Sequence, residues 1–73
     1  MIKYTTKEGM FETNNPQDVP IKDLHSLNDN PALILDTIYR FNEQLYHEGE
    51  FWFFEGKIHR DNDIAYKSLG KKR

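Results

Sequence analysis

Seventy-three residues make one domain, and a chain this short buries only roughly 60% of its unfolded surface, which argues against a deep catalytic cleft. The absence of cysteine excludes a disulfide framework and thiolate metal sites, so stability rests on a small core worth about 3–5 kcal/mol net, in keeping with a reducing cytoplasm. The net charge of −2 conceals an acidic body followed by Lys67, Lys71, Lys72 and Arg73, a distribution that disfavours phosphate backbones and favours basic protein surfaces within about a Debye length, ~8–10 Å.

The N-terminal segment Met1-Ile2-Lys3-Tyr4-Thr5 has no apolar run of signal-peptide length, and no window approaches the ~18 apolar residues of a membrane span. The sequence therefore reads as soluble and unprocessed. Residues 2–13 predict a hairpin in which Ile2–Thr6 and Met10–Thr13 are joined through Lys7-Glu8-Gly9, with Gly9 supplying tolerance of positive φ. Asn14-Asn15-Pro16-Gln17-Asp18 is dense in turn formers, and the spacing of Ile21, Leu24 and Leu27 then predicts a short helix or helical turn.

A long helix is expected from Pro31 to about Glu48. Asn30 suits its N-cap, Pro31 its first turn and Gly49 its C-terminal stop. Ile34, Ile38, Phe41 and Leu45 recur at helical steps, with Leu35, Tyr39 and Tyr46 widening the stripe and Asp36, Thr37, Arg40, Glu43, Gln44 and His47 opposite. After Gly49 comes an aromatic hairpin. If Glu55-Gly56 is a two-residue loop, Phe54 faces Lys57, Phe53 faces Ile58, Trp52 faces His59 and Phe51 faces Arg60.

The face with Phe51, Phe53 and Ile58 is expected to pack beneath the helix. The other carries Trp52, Phe54, Lys57 and His59, and together with Arg60 these form the expected partner-binding surface, because aromatic and cationic side chains dominate interface energetics. The competing structural reading is that Trp52 or Phe54 only stacks locally over Lys57 and His59. The elements add up to an α+β domain over residues 1–66, a small antiparallel sheet of two hairpins packed against one long helix with a short preceding helix. Residues 67–73 complete it as a basic flexible tail.

Motifs of chemistry are few. His25, His47 and His59 lack metal-ligand spacing, and Asp61-Asn62-Asp63 lacks the glycine and glutamate that complete a calcium loop. Neither serine has a nucleophile's partner, and there is no glycine-rich phosphate loop. A non-enzyme without cofactor or metal is expected. The two predicted helices joined at Asn28-Asp29-Asn30 could form a helix-turn-helix, but the second carries Asp36, Glu43 and Glu48 against Arg40 alone, which disfavours direct nucleic-acid binding.

Trp52, Gly56-Lys57-Ile58-His59-Arg60, Asp61-Asn62-Asp63 and Ala65 together resemble the W-x-x-x-G-K-x-H-R-x-x-D-x-P-A type of short β repeat found in proteins of bacteriophages and large viruses, with no Pro before Ala65. Leu24-His25-Ser26-Leu27-Asn28-Asp29-Asn30-Pro31-Ala32 is a fainter echo. In size, acidic body and aromatic hairpin the chain is also similar to the small host-takeover proteins of lytic phages that bind bacterial RNA polymerase and regulate transcription. That resemblance implies a monomer in the bacterial host's cytoplasm that binds RNA polymerase, interferes with initiation and promotes antitermination. The alternatives are an acidic inhibitor of a host defence nuclease, a small DNA-binding module and an assembly subunit.

Overall fold

Backbone pairing, rather than a helix, organises this chain. The computed structural model describes residues 1–61 and 63–68. Its elements are β1 (Ile2–Thr6), β2 (Gly9–Thr13), two 3₁₀ turns at Pro16–Asp18 and Ile21–Asp23, β3 (Leu33–Leu35), β4 (Tyr39–Phe41), β5 (Gln44–Tyr46), β6 (Gly49–Phe51), β7 (Phe53–Phe54), β8 (Lys57–Ile58) and β9 (Tyr66–Lys67). A five-stranded sheet runs β2-β1-β3-β6-β9, with β4-β5 and β7-β8 as separate hairpins.

The long helix over 31–48 is absent, and the α+β class is corrected to a predominantly β fold. Leu33-Ile34-Leu35 pairs with β1 on one side and β6 on the other, filling the place where two strands would otherwise leave open edges. Residues 39–46 turn back through Asn42, at φ 57°, so that Arg40 faces Leu45 and Phe41 faces Gln44. The β-branched and aromatic residues of the stripe suit strands at least as well as a helix. A short apolar run is ambiguous between the two by periodicity alone. Ile38 and Leu45, expected on the helix's buried face, are exposed. The short helix expected before it is reduced to the 3₁₀ turn at Ile21–Asp23.

The two hairpins are present in the expected places. Ile2 pairs with Thr13 and Thr6 with Gly9. Phe53 pairs with Ile58 and Phe54 with Lys57 across Glu55-Gly56, whose φ values of 48° and 85° match a type I′ turn. Lys67, assigned to the tail, lies in β9 opposite Glu50. The rest of that segment from residue 69 onward lies outside the described residues.

The sheet is built from one arrangement used twice. In the first unit Thr5 N–H donates to Ala32 O at 2.8 Å and Thr5 O accepts from His25 N–H at 3.0 Å; in the second, Trp52 N–H donates to Ala65 O at 2.8 Å and Trp52 O accepts from His59 N–H at 3.0 Å. The flanking pairs correspond as well. Tyr4 opposite Leu33 matches Phe51 opposite Tyr66, and Thr6 bridging Leu24 matches Phe53 opposite Ile58. Leu24, His25 and Ala32, in the faint echo of the sequence, are thus the backbone counterparts of Ile58, His59 and Ala65.

One face of the sheet holds the core. Ile2, Leu33, Leu35, Phe51 and Phe53 pack there with Val19, Leu24 and Phe41. An aromatic ladder links the elements across that face. Phe41 meets Tyr46 edge-on at 5.1 Å, Tyr46 meets Phe51 at 5.2 Å, and Phe51 meets Tyr66 at 4.7 Å. Such ring pairs add about 0.5–1.5 kcal/mol each beyond the area they bury. No helix among the described residues is long and apolar enough to cross a membrane.

Candidate functional site

The aromatic hairpin β7-β8 is held rigidly against the first unit. Gly56 N–H donates to Leu24 O at 2.8 Å, Glu55 N–H donates to His25 Nδ1 at 3.1 Å, and Lys7 pairs with the Glu55 carboxylate at 3.0 Å. The bond from Glu55 fixes His25 as the tautomer protonated on Nε2. Gly56 is required here, because a Cβ would lie 2.5 Å from Lys22 O.

The five residues expected to face a partner separate into two groups. Trp52 is buried, and its Nε1–H donates to Asp29 O at 2.9 Å. The Arg60 guanidinium covers the Trp52 ring, with Cζ 3.8 Å from its centroid, while Nε and Nη2 hold the two Asp29 oxygens at 3.0 and 3.1 Å. Nη1 donates to Ile64 O at 3.2 Å and lies 3.6 Å from Asp63. The expectation that Trp52 lies on an outer surface is corrected, since it is buried; Arg60 is half-buried and lies over it, so that both fasten the two units together. Trp52 falls between β6, which ends at Phe51, and β7, which starts at Phe53; its ring lies outside the cluster that holds Phe51 and Phe53 and is covered by Arg60 instead. Asp29 is the residue that sequence reasoning missed, although the faint echo placed it where Asp63 stands in the stronger motif.

Phe54, Lys57 and His59 are exposed. Phe54 lies between His25 and His59, 5.0 and 6.0 Å between ring centroids, so the two equivalent histidines of the two units flank one phenylalanine. His59 Nε2 is 3.0 Å from Asp61. An open groove of about 390 Å³ runs beside these rings, with Asp29, Asp61, Asp63 and Ser26 in its wall.

Ile58, expected in the core, is exposed on the opposite side of the hairpin. It lines a second, more apolar groove of about 280 Å³ with Leu45, Tyr46, Phe51 and Tyr66. Tyr66 OH donates to Glu48 O at 2.7 Å and fixes one wall. Local sequence gives no sign of this groove, because Leu45 fits a helical stripe and the two residues of β9 are too few to carry a strand pattern.

The electrostatics are those of paired surface ions. The hydrogen bond from Arg60 holds the Asp29 carboxyl below the ordinary carboxylate value, and the same contact raises Arg60. Lys7 acts likewise on Glu55. The N-terminal amine, 2.9 Å from Asp36, lowers that carboxyl in the same way. Among the described residues no group of three or more His, Asp and Glu side chains is arranged to hold a metal ion.

No family model matches this chain, and no similar curated protein or solved structure was found.

Proposed function

We propose that this chain is a non-enzymatic protein-binding module that docks a partner through the hairpin β7-β8. The observation that carries this reading is the position of Phe54. Half of its surface is exposed on a rigidly anchored hairpin, with Lys57 and His59 beside it, while Ile58 and Leu45 are exposed on the other side. Apolar side chains gathered on one projection, rimmed by charge, are characteristic of protein interfaces. The anchoring by Leu24, His25 and Lys7 lowers the ordering cost of association.

The partner is expected to offer an apolar pocket for Phe54 and basic groups for the carboxylates along the neighbouring groove. Bacterial RNA polymerase, the target implied by the resemblance to phage host-takeover proteins, is the first to test. Binding there would act on initiation and antitermination. The test is affinity capture from bacterial lysate at low salt, with Phe54→Asp as control. Polymerase subunits retained by the native chain and lost with F54D support the proposal. Retention of polymerase by neither excludes it as the target, and equal retention by both excludes the hairpin as the docking surface.

A further inference from the structure

The interface between the two units of this chain is a template for another. The first unit's segment Leu24–Leu35 receives the second unit through Ala32 N–H donating to Phe51 O, Ser26 N–H donating to Phe53 O and Gly56 N–H donating to Leu24 O, each at 2.8 Å. Leu33 then stands opposite Phe51 and Leu35 opposite Gly49. Arg60, carried by the incoming unit, closes the joint by gripping Asp29.

The second unit presents the corresponding backbone groups at the far edge of the sheet, where β9 ends the strand order, without the hydroxyl by which Ser26 also accepts from Phe53 N–H. Arg60 and Ala65 are the counterparts of Ser26 and Ala32. Among the described residues the N–H groups of Arg60 and Ala65 donate to no backbone carbonyl. Asp63 is the counterpart of Asp29. Its carboxylate is half exposed, and its nearest cation, Arg60, is 3.6 Å away and already engaged with Asp29. Tyr66, the counterpart of Leu33, is exposed where Leu33 is buried.

We infer that the edge formed by Ile58–Asp61 and Asp63–Lys67 receives a further β unit of this same design, offered by a partner polypeptide. The incoming strand runs antiparallel to β9 and places an aromatic side chain against Tyr66. Nine residues later, the separation between Phe51 and Arg60, it supplies an arginine that closes on Asp63. Strand addition would satisfy the edge's main-chain donors, and the arginine would set the register. Continuity with the internal joint selects this occupant over a second copy of the chain, whose own β6-β7 strand is already engaged. The inference rests on the protein-binding reading, but assigns this partner to the sheet edge and not to Phe54.

The test extends the full chain after Arg73 with a copy of residues 36–68, so that a strand and arginine of the required spacing are tethered near the edge. Amide hydrogen exchange and urea unfolding are compared with the unextended protein. The expected result is that the Arg60 and Ala65 amides slow by about tenfold or more, and that unfolding stays a single transition with a larger urea dependence. Asp63→Ala should lower the urea midpoint of the extended chain by clearly more than that of the native chain, where Asp63 only accepts from Ile64 N–H and lies beside Arg60. An appended segment that stays unfolded overturns the inference, as does unchanged exchange at Arg60 and Ala65. Protection of both amides in the native chain that grows with its concentration also overturns it, by making a second copy the occupant. None of these failures would alter capture through Phe54, which separates this inference from the reading it rests on.

Discussion

Arg60 holds both oxygens of Asp29, 31 positions earlier in the chain, while its guanidinium lies over the Trp52 ring. The pair ties the loop of the first unit to Trp52 in the second. Arg60→Lys should lower the urea midpoint, because an ammonium cannot reproduce the two-pronged contact or the flat stacking. Arg60→Ala should lower it further, and a double-mutant cycle with Asp29→Ala should show coupling between the two positions. Additive effects would mean that the contact contributes nothing to folding.

Trp52→Ala should abolish or severely weaken folding, since removing a buried Trp costs roughly 3–5 kcal/mol, comparable with the whole stability expected of so small a domain. Circular dichroism and urea unfolding would measure this directly. The side chain is therefore a poor probe of partner binding, because its loss acts through the fold.

Phe54→Ala should change the unfolding free energy by less than about 1 kcal/mol, as expected for an exposed position. If Phe54 anchors the partner, the same change should weaken binding by about 2 kcal/mol or more. Calorimetry against purified polymerase, alongside the unfolding curve, separates the two effects.

The two hairpins were legible in local sequence, but the five-stranded sheet that joins the elements was not. Gly9 and Glu55-Gly56 located two hairpins, and counting outward from Gly56 paired Phe53 with Ile58. The error lay where local pattern could not decide. Ile34, Ile38, Phe41 and Leu45 match a helical stripe, but β1 and β6 both require a partner, and only Leu33–Leu35 lies between them. That requirement is tertiary and has no local signature. The burial of Trp52 was hidden for a related reason: alternation puts it on the face away from Phe51 and Phe53, and the groups that cover it there, Arg60 and the Asp29 loop, come from elsewhere in the chain. Asp29, distant in sequence from Arg60, was signalled only by the echo of the second unit's motif.

Gly56→Ala should destabilise the protein by about 1–3 kcal/mol through positive-φ strain, with an added cost from the Lys22 carbonyl against the new methyl group. Gly9→Ala is the matching control. Gly9 also has positive φ, but nothing lies within 4 Å of its would-be Cβ, so its cost should be smaller. Urea midpoints of the two variants would rank them.

Acid should unfold the protein in a defined direction. Asp29, Asp36 and Glu55 all have carboxyls lowered in the folded state, first by hydrogen bonds from Arg60, the N-terminal amine and Lys7 respectively. A lowered folded pKa gives stability that is fully present above the unfolded value, about 4, and is lost as pH falls through the folded value. The contribution of these groups to the urea midpoint should therefore be constant above about pH 5 and decline below about pH 4. Asp29→Asn should flatten part of that decline, whereas a contribution from Asp29 that grew on acidification would contradict the pairing.

Trp52 is the only tryptophan in the chain, so its fluorescence reports directly on whether the aromatic hairpin keeps this ring inside and leaves Phe54 to a partner. The native protein should show blue-shifted emission and slow acrylamide quenching, both moving towards the unfolded values on urea addition. F54D should leave these signals unchanged. Solvent-like emission and fast quenching in the native state would contradict the interior placement of Trp52 beneath Arg60.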